Sequence, residues 1–231
     1  MKKLTRSDSV EKLGIMENDG PRPTYTLFWE ALSGAMVVEL VLEEIGASYE
    51  RRLIDMANGE HLTDNYRTLN PTGQVPALLL PNGDVIGESA AIVLTLGERH
   101  PSASLIPSAT SAIRPHFLRW LIYLATSPYM TMVQFNHPER FTSISAVHGD
   151  LVENAKSRLV SQFEILDGAI SGSPYFFQTG FSAVDLYLFM LVNFFPAKSE
   201  IFQNCNKLRG LYEAVECRPS TTRIISNHVV T

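Results

Sequence analysis

Apolar positions follow two different rhythms along this chain, and the change falls near residue 100. Before it, short β-branched and aromatic runs alternate with helical spacing. Thr24-Tyr25-Thr26-Leu27-Phe28-Trp29 predicts a buried strand, and Gly34 to Ile45 then carries Met36, Val37, Leu40, Val41 and Ile45 at the spacing of a helix, which Gly46 stops. Tyr49 to Ile54 predicts a second strand, placed at an edge by Arg51-Arg52, and Leu62 to Leu69 a short helix closed by Asn70-Pro71. Ala77-Leu78-Leu79-Leu80 is an apolar strand. Pro81-Asn82-Gly83-Asp84 is a hairpin turn, Val85-Ile86 returns antiparallel, and Glu88 to Arg99 is a third helix.

Beyond His100-Pro101 the strand signals stop. Ile113 to Met132 predicts one long helix or a broken pair, with a bend at Pro128, and Leu151 to Ile170 a helix with Leu151, Leu159, Phe163, Leu166 and Ile170 on one face. Val184 to Phe195 is apolar almost all round, the mark of a central buried helix, and Ser182 with Asp185 forms a capping box at its start; Lys207 to Glu216 is another short helix. The order βαβ, α, ββα predicts a thioredoxin-like mixed sheet with helices on both faces, followed by an all-α bundle. The expected domains are a flexible N-terminal extension over residues 1–23, a thioredoxin-like domain over 24–100, a Pro/Ser-rich linker over 101–111 and an all-helical domain over 112–231.

The 231 residues are enough for two modest cores. A net charge of -5 with no long basic stretch argues against nucleic acid as partner, and no run of 18 apolar residues points to a membrane span. Residues 1–23 lack a signal peptide's apolar core, and the two cysteines, Cys205 and Cys217, read as reduced thiols, so a cytoplasmic location is expected. His137, His148 and the cysteines have no metal-ligand spacing, so no metal is expected.

Chemistry concentrates in two motifs, Asn70-Pro71-Thr72-Gly73-Gln74-Val75-Pro76-Ala77-Leu78 and Gly87-Glu88-Ser89-Ala90-Ala91-Ile92. Pro76 stands where a strand begins and withholds a donor from its edge; a cis Val75-Pro76 bond is the usual solution at such a corner. The backbone of Val75 is then free to pair with an extended peptide as an added strand would. Ser89 opens a helix, and its hydroxyl with the first-turn N–H groups makes a site for a carboxylate. Together they describe a receptor for a small anionic peptide. Each residue also has a plainer reading: a structural proline corner for Val75-Pro76, bare helix caps for Ser89 and Ser33, and a surface histidine for His61.

These motifs, the proline-bounded linker and Phe181-Ser182-Ala183-Val184-Asp185 resemble the cytosolic glutathione transferases over Thr24 to about Pro219, and Gly59-Glu60-His61-Leu62-Thr63-Asp64 is similar to the theta and related bacterial classes. The resemblance implies glutathione as cosubstrate, a homodimer, and attack of the thiolate on an electrophile. It implies that Val75, before Pro76, pairs with the cysteinyl part of glutathione, that Glu88 takes the γ-glutamyl ammonium and Ser89 its carboxylate, and that His61 and Gln74 grip the glycine end. Ser33 is the implied catalytic hydroxyl when counted forward from the first strand; counted back from Leu42-Glu43-Glu44-Ile45-Gly46, the position falls on Leu32. No cysteine adjoins Ser33, which disfavours thiol-disulfide exchange, and neither Tyr25 nor Trp29 stands where tyrosine-type classes place their donor. The electrophile is expected between the halves, against Tyr123, Ser127, Met130 and Thr131. The alternative is a glutathione-binding or interaction protein that keeps the fold without turnover.

Overall fold

The computed structural model describes residues 25–228, so Thr24 and the expected extension over 1–23 lie outside the described residues. The first unit follows the predicted order closely: β1 (Tyr25–Trp29), α1 (Ala35–Glu44), β2 (Tyr49–Leu53), a 3-10 turn (Glu60–Leu62), α2 (Asp64–Leu69), β3 (Ala77–Leu79), β4 (Val85–Ile86) and α3 (Ser89–Arg99). The four strands lie in the order β2-β1-β3-β4, with β1 and β2 parallel and the other pairs antiparallel. β2 takes the edge that its two arginines predict, because an edge strand has room for charged side chains. Leu27 and Phe28 are fully buried on β1, and Phe28 packs with Ile54, Tyr66, Leu69 and Ala77. α1 and α3 pack against each other, and α1 buries every residue from Ala35 to Leu42, Glu39 included.

The chain divides into residues up to Arg99 together with those from Ile224, and a second unit from His100 to Arg223. The stretch 101–111 belongs with the helical unit: Pro101–Ala103 forms a 3-10 turn, Leu105 is buried, and its carbonyl accepts the Ala183 N–H at 2.9 Å. The 3-10 turn over Ile225–His228 groups with the first unit. Its docking rests on side chains 188 and 189 positions away from their partner, which local periodicity cannot encode.

The second unit is all helical: α4 (Arg114–Thr126), α5 (Pro128–Asn136), α6 (His148–Ala169), α7 (Ala183–Phe194), α8 (Lys198–Asn204), α9 (Asn206–Glu216) and α10 (Pro219–Ile224). Pro128 breaks the long predicted helix into α4 and α5. A proline has no N–H to give and disfavours helical backbone before it, so it begins a helix more readily than it continues one. α7 is central, packed by α4, α5 and α9 and buried from Ala183 to Val192. The short α8 and α10 fall outside the sequence-based expectation.

Asp185, fully buried in the first turn of α7, satisfies three donors. Its Oδ2 accepts the Ser182 N–H at 2.8 Å and the Ser182 hydroxyl at 3.1 Å, and its Oδ1 accepts the Phe176 N–H at 2.7 Å. Burial pushes its carboxyl up to about 6, against the pull of those hydrogen bonds. A folded pKa above the unfolded value means that between about pH 4 and pH 6 the folded state holds a proton the unfolded chain has released. This group's contribution to stability therefore grows as the pH falls through that window, by up to about 3 kcal/mol at about 1.4 kcal/mol per unit. Urea denaturation of wild type and Asp185→Asn across the window is expected to show the stability difference moving toward wild type as pH falls. A difference that stays flat with pH would rule out the raised pKa.

Candidate functional site

The antiparallel ladders place the two motifs side by side. Phe28 lies opposite Ala77 and Leu78 opposite Ile86. β1 and β4 therefore end, and β3 begins, at the same end of the sheet, which brings the segments 30–34, 70–76 and 87–89 to that end. The Val75-Pro76 peptide bond is cis. β3 begins only at Ala77, and the backbone N–H and C=O of Val75 find no hydrogen-bond partner among the described residues.

The chain is held open at Val75 by its neighbours. The Gln74 carbonyl accepts the Tyr66 hydroxyl at 2.7 Å and the Asn70 side-chain amide at 2.8 Å, and both donors are buried. Burial raises the Tyr66 phenol far above its ordinary value, so this group remains a donor. Asn70 also accepts the Thr72 hydroxyl through Oδ1 at 3.0 Å, and its amide packs so closely on Gly87 that a Cβ there would lie 3.4 Å from it. One side chain thus joins the Asn-Pro-Thr-Gly turn to the Gly-Glu-Ser turn. Gly73 has φ +62, and a Cβ on it would stand 3.0 Å from the His61 carbonyl oxygen and 3.4 Å from Arg67 Nε. That close approach sets His61 beside Gln74. The Nδ1 of His61 is buried with no hydrogen-bond partner among the described residues.

Glu88 is exposed and held at φ +62, while its carbonyl accepts the Ile92 N–H at 2.9 Å. Ser89, 7% exposed, opens α3. The first N–H groups of a helix have no intrahelical acceptor, so α3 presents donors and the positive end of its dipole beside an exposed carboxylate. A zwitterionic head group needs that pairing of signs.

Ser33 stands just before α1. Its hydroxyl donates to the Glu30 carbonyl at 2.7 Å, and its Oγ accepts the Ala35 N–H at 3.2 Å. Leu32 carries a left-handed φ of +51 and is 51% exposed. The turn thus turns Leu32 outward and sets the serine, rather than the residue before it, at the helix start. The Glu30 carboxylate bridges two loops, accepting the Ala31 N–H at 3.1 Å and the Met56 N–H at 3.2 Å.

Of the four residues expected at an electrophile pocket, all in the helical unit, Met130 is 47% exposed and Tyr123 half-buried, edge-on to Trp120 at 5.5 Å. Burial raises the Tyr123 phenol. Ser127 occupies the break between α4 and α5. Thr131 is 1% exposed, donates to the Ser127 carbonyl at 2.9 Å, and accepts from Gln162 at 3.2 Å and Arg158 at 3.3 Å, so that its hydroxyl joins α5 to α6.

Sequence reading missed the roles of Glu30, Tyr66 and Asn70. Asn70 lies inside the quoted motif, and a buried Asn before a proline turn is a signal for a backbone-bridging amide. Glu30 and Tyr66 act through pairings that no local pattern encodes.

An N-terminal thioredoxin-like domain with open backbone before a proline corner, joined to an all-α unit, defines a glutathione-transferase architecture. The family model for the glutathione S-transferase N-terminal domain matches residues 35–99, and that for the C-terminal domain matches residues 142–223. The chain belongs to the glutathione S-transferase family. It is similar to the uncharacterized GST-like protein YncG of Escherichia coli, 26% identical over 204 residues that cover 85% of this chain and 95% of YncG. It is also similar to the glutathione S-transferase GstA of Escherichia coli O157:H7, 22% identical over 87% of this chain and 96% of that one. In fold it resembles a glutathione transferase homologue from Sulfitobacter with bound glutathione, with a TM-score of 0.81, 20% identity, and coverage of 90% of this chain and 100% of the other.

Gly73→Ala combines a left-handed backbone with the 3.0 Å approach to His61. It is expected to destabilise the protein by about 1–3 kcal/mol, the cost of a left-handed non-glycine residue plus a shifted turn, read from the urea midpoint. A midpoint within experimental error of wild type would show that Gly73 does not fix this corner.

Proposed function

We propose that the chain binds glutathione and activates its thiol for attack on a hydrophobic electrophile, by conjugation, thiolytic elimination or peroxide reduction. The observation that carries this reading is the Val75 backbone, unpartnered among the described residues, at the same end of the sheet as the Glu88-Ser89 start of α3. The cysteinyl unit pairs with Val75 as a short added strand, Glu88 takes the ammonium, and Ser89 with the α3 N-terminus takes the γ-glutamyl carboxylate. His61 and Gln74 meet the glycine end. Ser33 donates to the sulfur at the N-terminus of α1, so hydrogen bond and dipole both favour the thiolate over a thiol whose ordinary pKa is about 8.5. The exposed thioether of Met130 and the half-buried ring of Tyr123 favour a hydrophobic or aromatic acceptor. Family membership also supports a homodimer. Among the described residues no helix is long and apolar enough to cross a membrane.

The competing reading is a glutathione-binding protein without turnover, and one observation favours it: the Ser33 hydroxyl is engaged with Glu30 and Ala35. Two substitutions separate these readings. Ser33→Ala is expected to keep glutathione affinity within about threefold while lowering turnover of a chromogenic aryl halide at least about tenfold. Unchanged turnover removes Ser33 from the chemistry. Ser89→Ala is expected to weaken glutathione binding by about 1–3 kcal/mol in calorimetry, because the ligand carboxylate loses a charge-assisted hydrogen bond. Undiminished affinity would count against the whole binding mode.

A further inference from the structure

The run Met36-Val37-Val38-Glu39-Leu40-Val41-Leu42 is buried throughout, and Glu39, in its middle, is 1% exposed. A carboxylate so buried needs donors. His228, fully buried, places Nε2 2.6 Å from Glu39 Oε2, and Asn227 places its amide 3.4 Å from Oε1. Arg51 reaches Oε1 at 3.4 Å. The Tyr49 hydroxyl also lies 3.1 Å from Oε1, but it has one proton and stands closer to Glu43, at 2.8 Å. The closest donor to Glu39 therefore comes from the far end of the chain. The His228 ring also packs edge-on against Trp29 at 5.5 Å, and Arg51 lies over the same Trp29 ring at 4.8 Å.

These contacts have a particular placement. Trp29 is the last residue of β1, and Glu39 lies one turn inside α1, so the segment between them begins and ends on residues that His228 touches. That segment, Glu30 to Val38, comprises the turn Glu30 to Gly34, which carries Ser33, and the first turn of α1.

We propose that the Asn227-His228 segment is a clip that fixes both ends of the Ser33 turn, with His228 as a positioning residue for thiol activation. The proposal rests on the glutathione-activating reading of Ser33. Released from His228, Trp29 and Glu39 keep the Arg51 contact but lose the buried ring that touches both, and a displaced hydroxyl weakens its hold on a thiolate. The affinity groups lie elsewhere in the first unit: Val75 shortly before β3, Glu88 just before α3 and Ser89 at its start.

The test uses the full chain and glutathione as probe. Ultraviolet absorbance of the bound thiolate is titrated against pH, with affinity from calorimetry, for wild type, Ser33→Ala, His228→Ala, His228→Gln and Asn227→Ala. His228→Ala is expected to raise the ionisation midpoint of the bound thiol by about half to one pH unit, with affinity within about threefold. His228→Gln, whose amide nitrogen reaches where Nε2 stood, is expected to restore most of that shift, which a purely structural loss would not do. Should His228→Ala fail to fold, Asn227→Ala reads the same quantity, with a smaller upward shift expected and no shift overturning the proposal. A shifted Ser33→Ala midpoint beside an unshifted, glutathione-binding His228→Ala removes the clip alone. A Ser33→Ala midpoint equal to wild type removes the thiol-activating reading and the clip with it.

Discussion

The site depends on how one carbonyl is held. The Gln74 C=O is gripped from two sides by Tyr66 and Asn70, both buried. Two donors on one oxygen fix the plane of the peptide that follows, and that peptide carries the Val75 N–H. The grip comes from the middle of α2 and the residue after it, so α2 sets how the Val75 peptide is held. Asn70 also packs against Gly87, so one side chain lies between the two turns. Loss of either donor leaves a partly desolvated carbonyl short of a partner, at a cost on the order of 1–3 kcal/mol.

A second consequence concerns charge. The sheet end gathers the N-termini of α1 and α3, both positive by their dipoles, and one exposed carboxylate, Glu88. A second carboxylate, Glu30, is turned inward onto two backbone N–H groups, Ala31 and Met56. Those bonds keep its charge occupied in the loop. An anion arriving at α1 therefore meets the helix N-terminus with the nearest carboxylate already paired, which is the arrangement that stabilising a thiolate requires.

Much of the first unit was legible because its elements are short and each is bounded by a residue with a mechanical reason. Gly46 ends α1, Asn70-Pro71 ends α2, Pro76 starts β3, and Asn82-Gly83 turns the hairpin. The Ser182-Asp185 cap was legible for the same reason. The helical ends were less so, because α8 and α10 are too short for a period to show. The partners of Thr131 were not legible, because a threonine beside aromatic and sulfur-bearing side chains looks the same in sequence whether it faces a cavity or a neighbouring helix; Arg158 and Gln162, some thirty residues on, supply its hydrogen bonds. Glu39 interrupts an apolar run, and that was a visible signal, but its partners are a remote histidine and asparagine that carry no motif.

In the proposed chemistry the hydrogen bond from Ser33 to the Glu30 carbonyl becomes a discriminator. A neutral thiol is a weak acceptor and does not compete with a carbonyl oxygen at 2.7 Å. A thiolate does, since a hydrogen bond to a charged acceptor is roughly twice as strong as one between neutral groups. Ser33 therefore turns toward sulfur only when the sulfur has lost its proton, and the exchange adds its free energy to the ionised form alone. The Ala35 N–H, which points at the Ser33 oxygen, supports the switch by keeping that oxygen at the helix start while its proton changes partner. A hydroxyl already bonded to the protein is on this account compatible with catalysis, provided that its partner is neutral and its position is held from outside the turn.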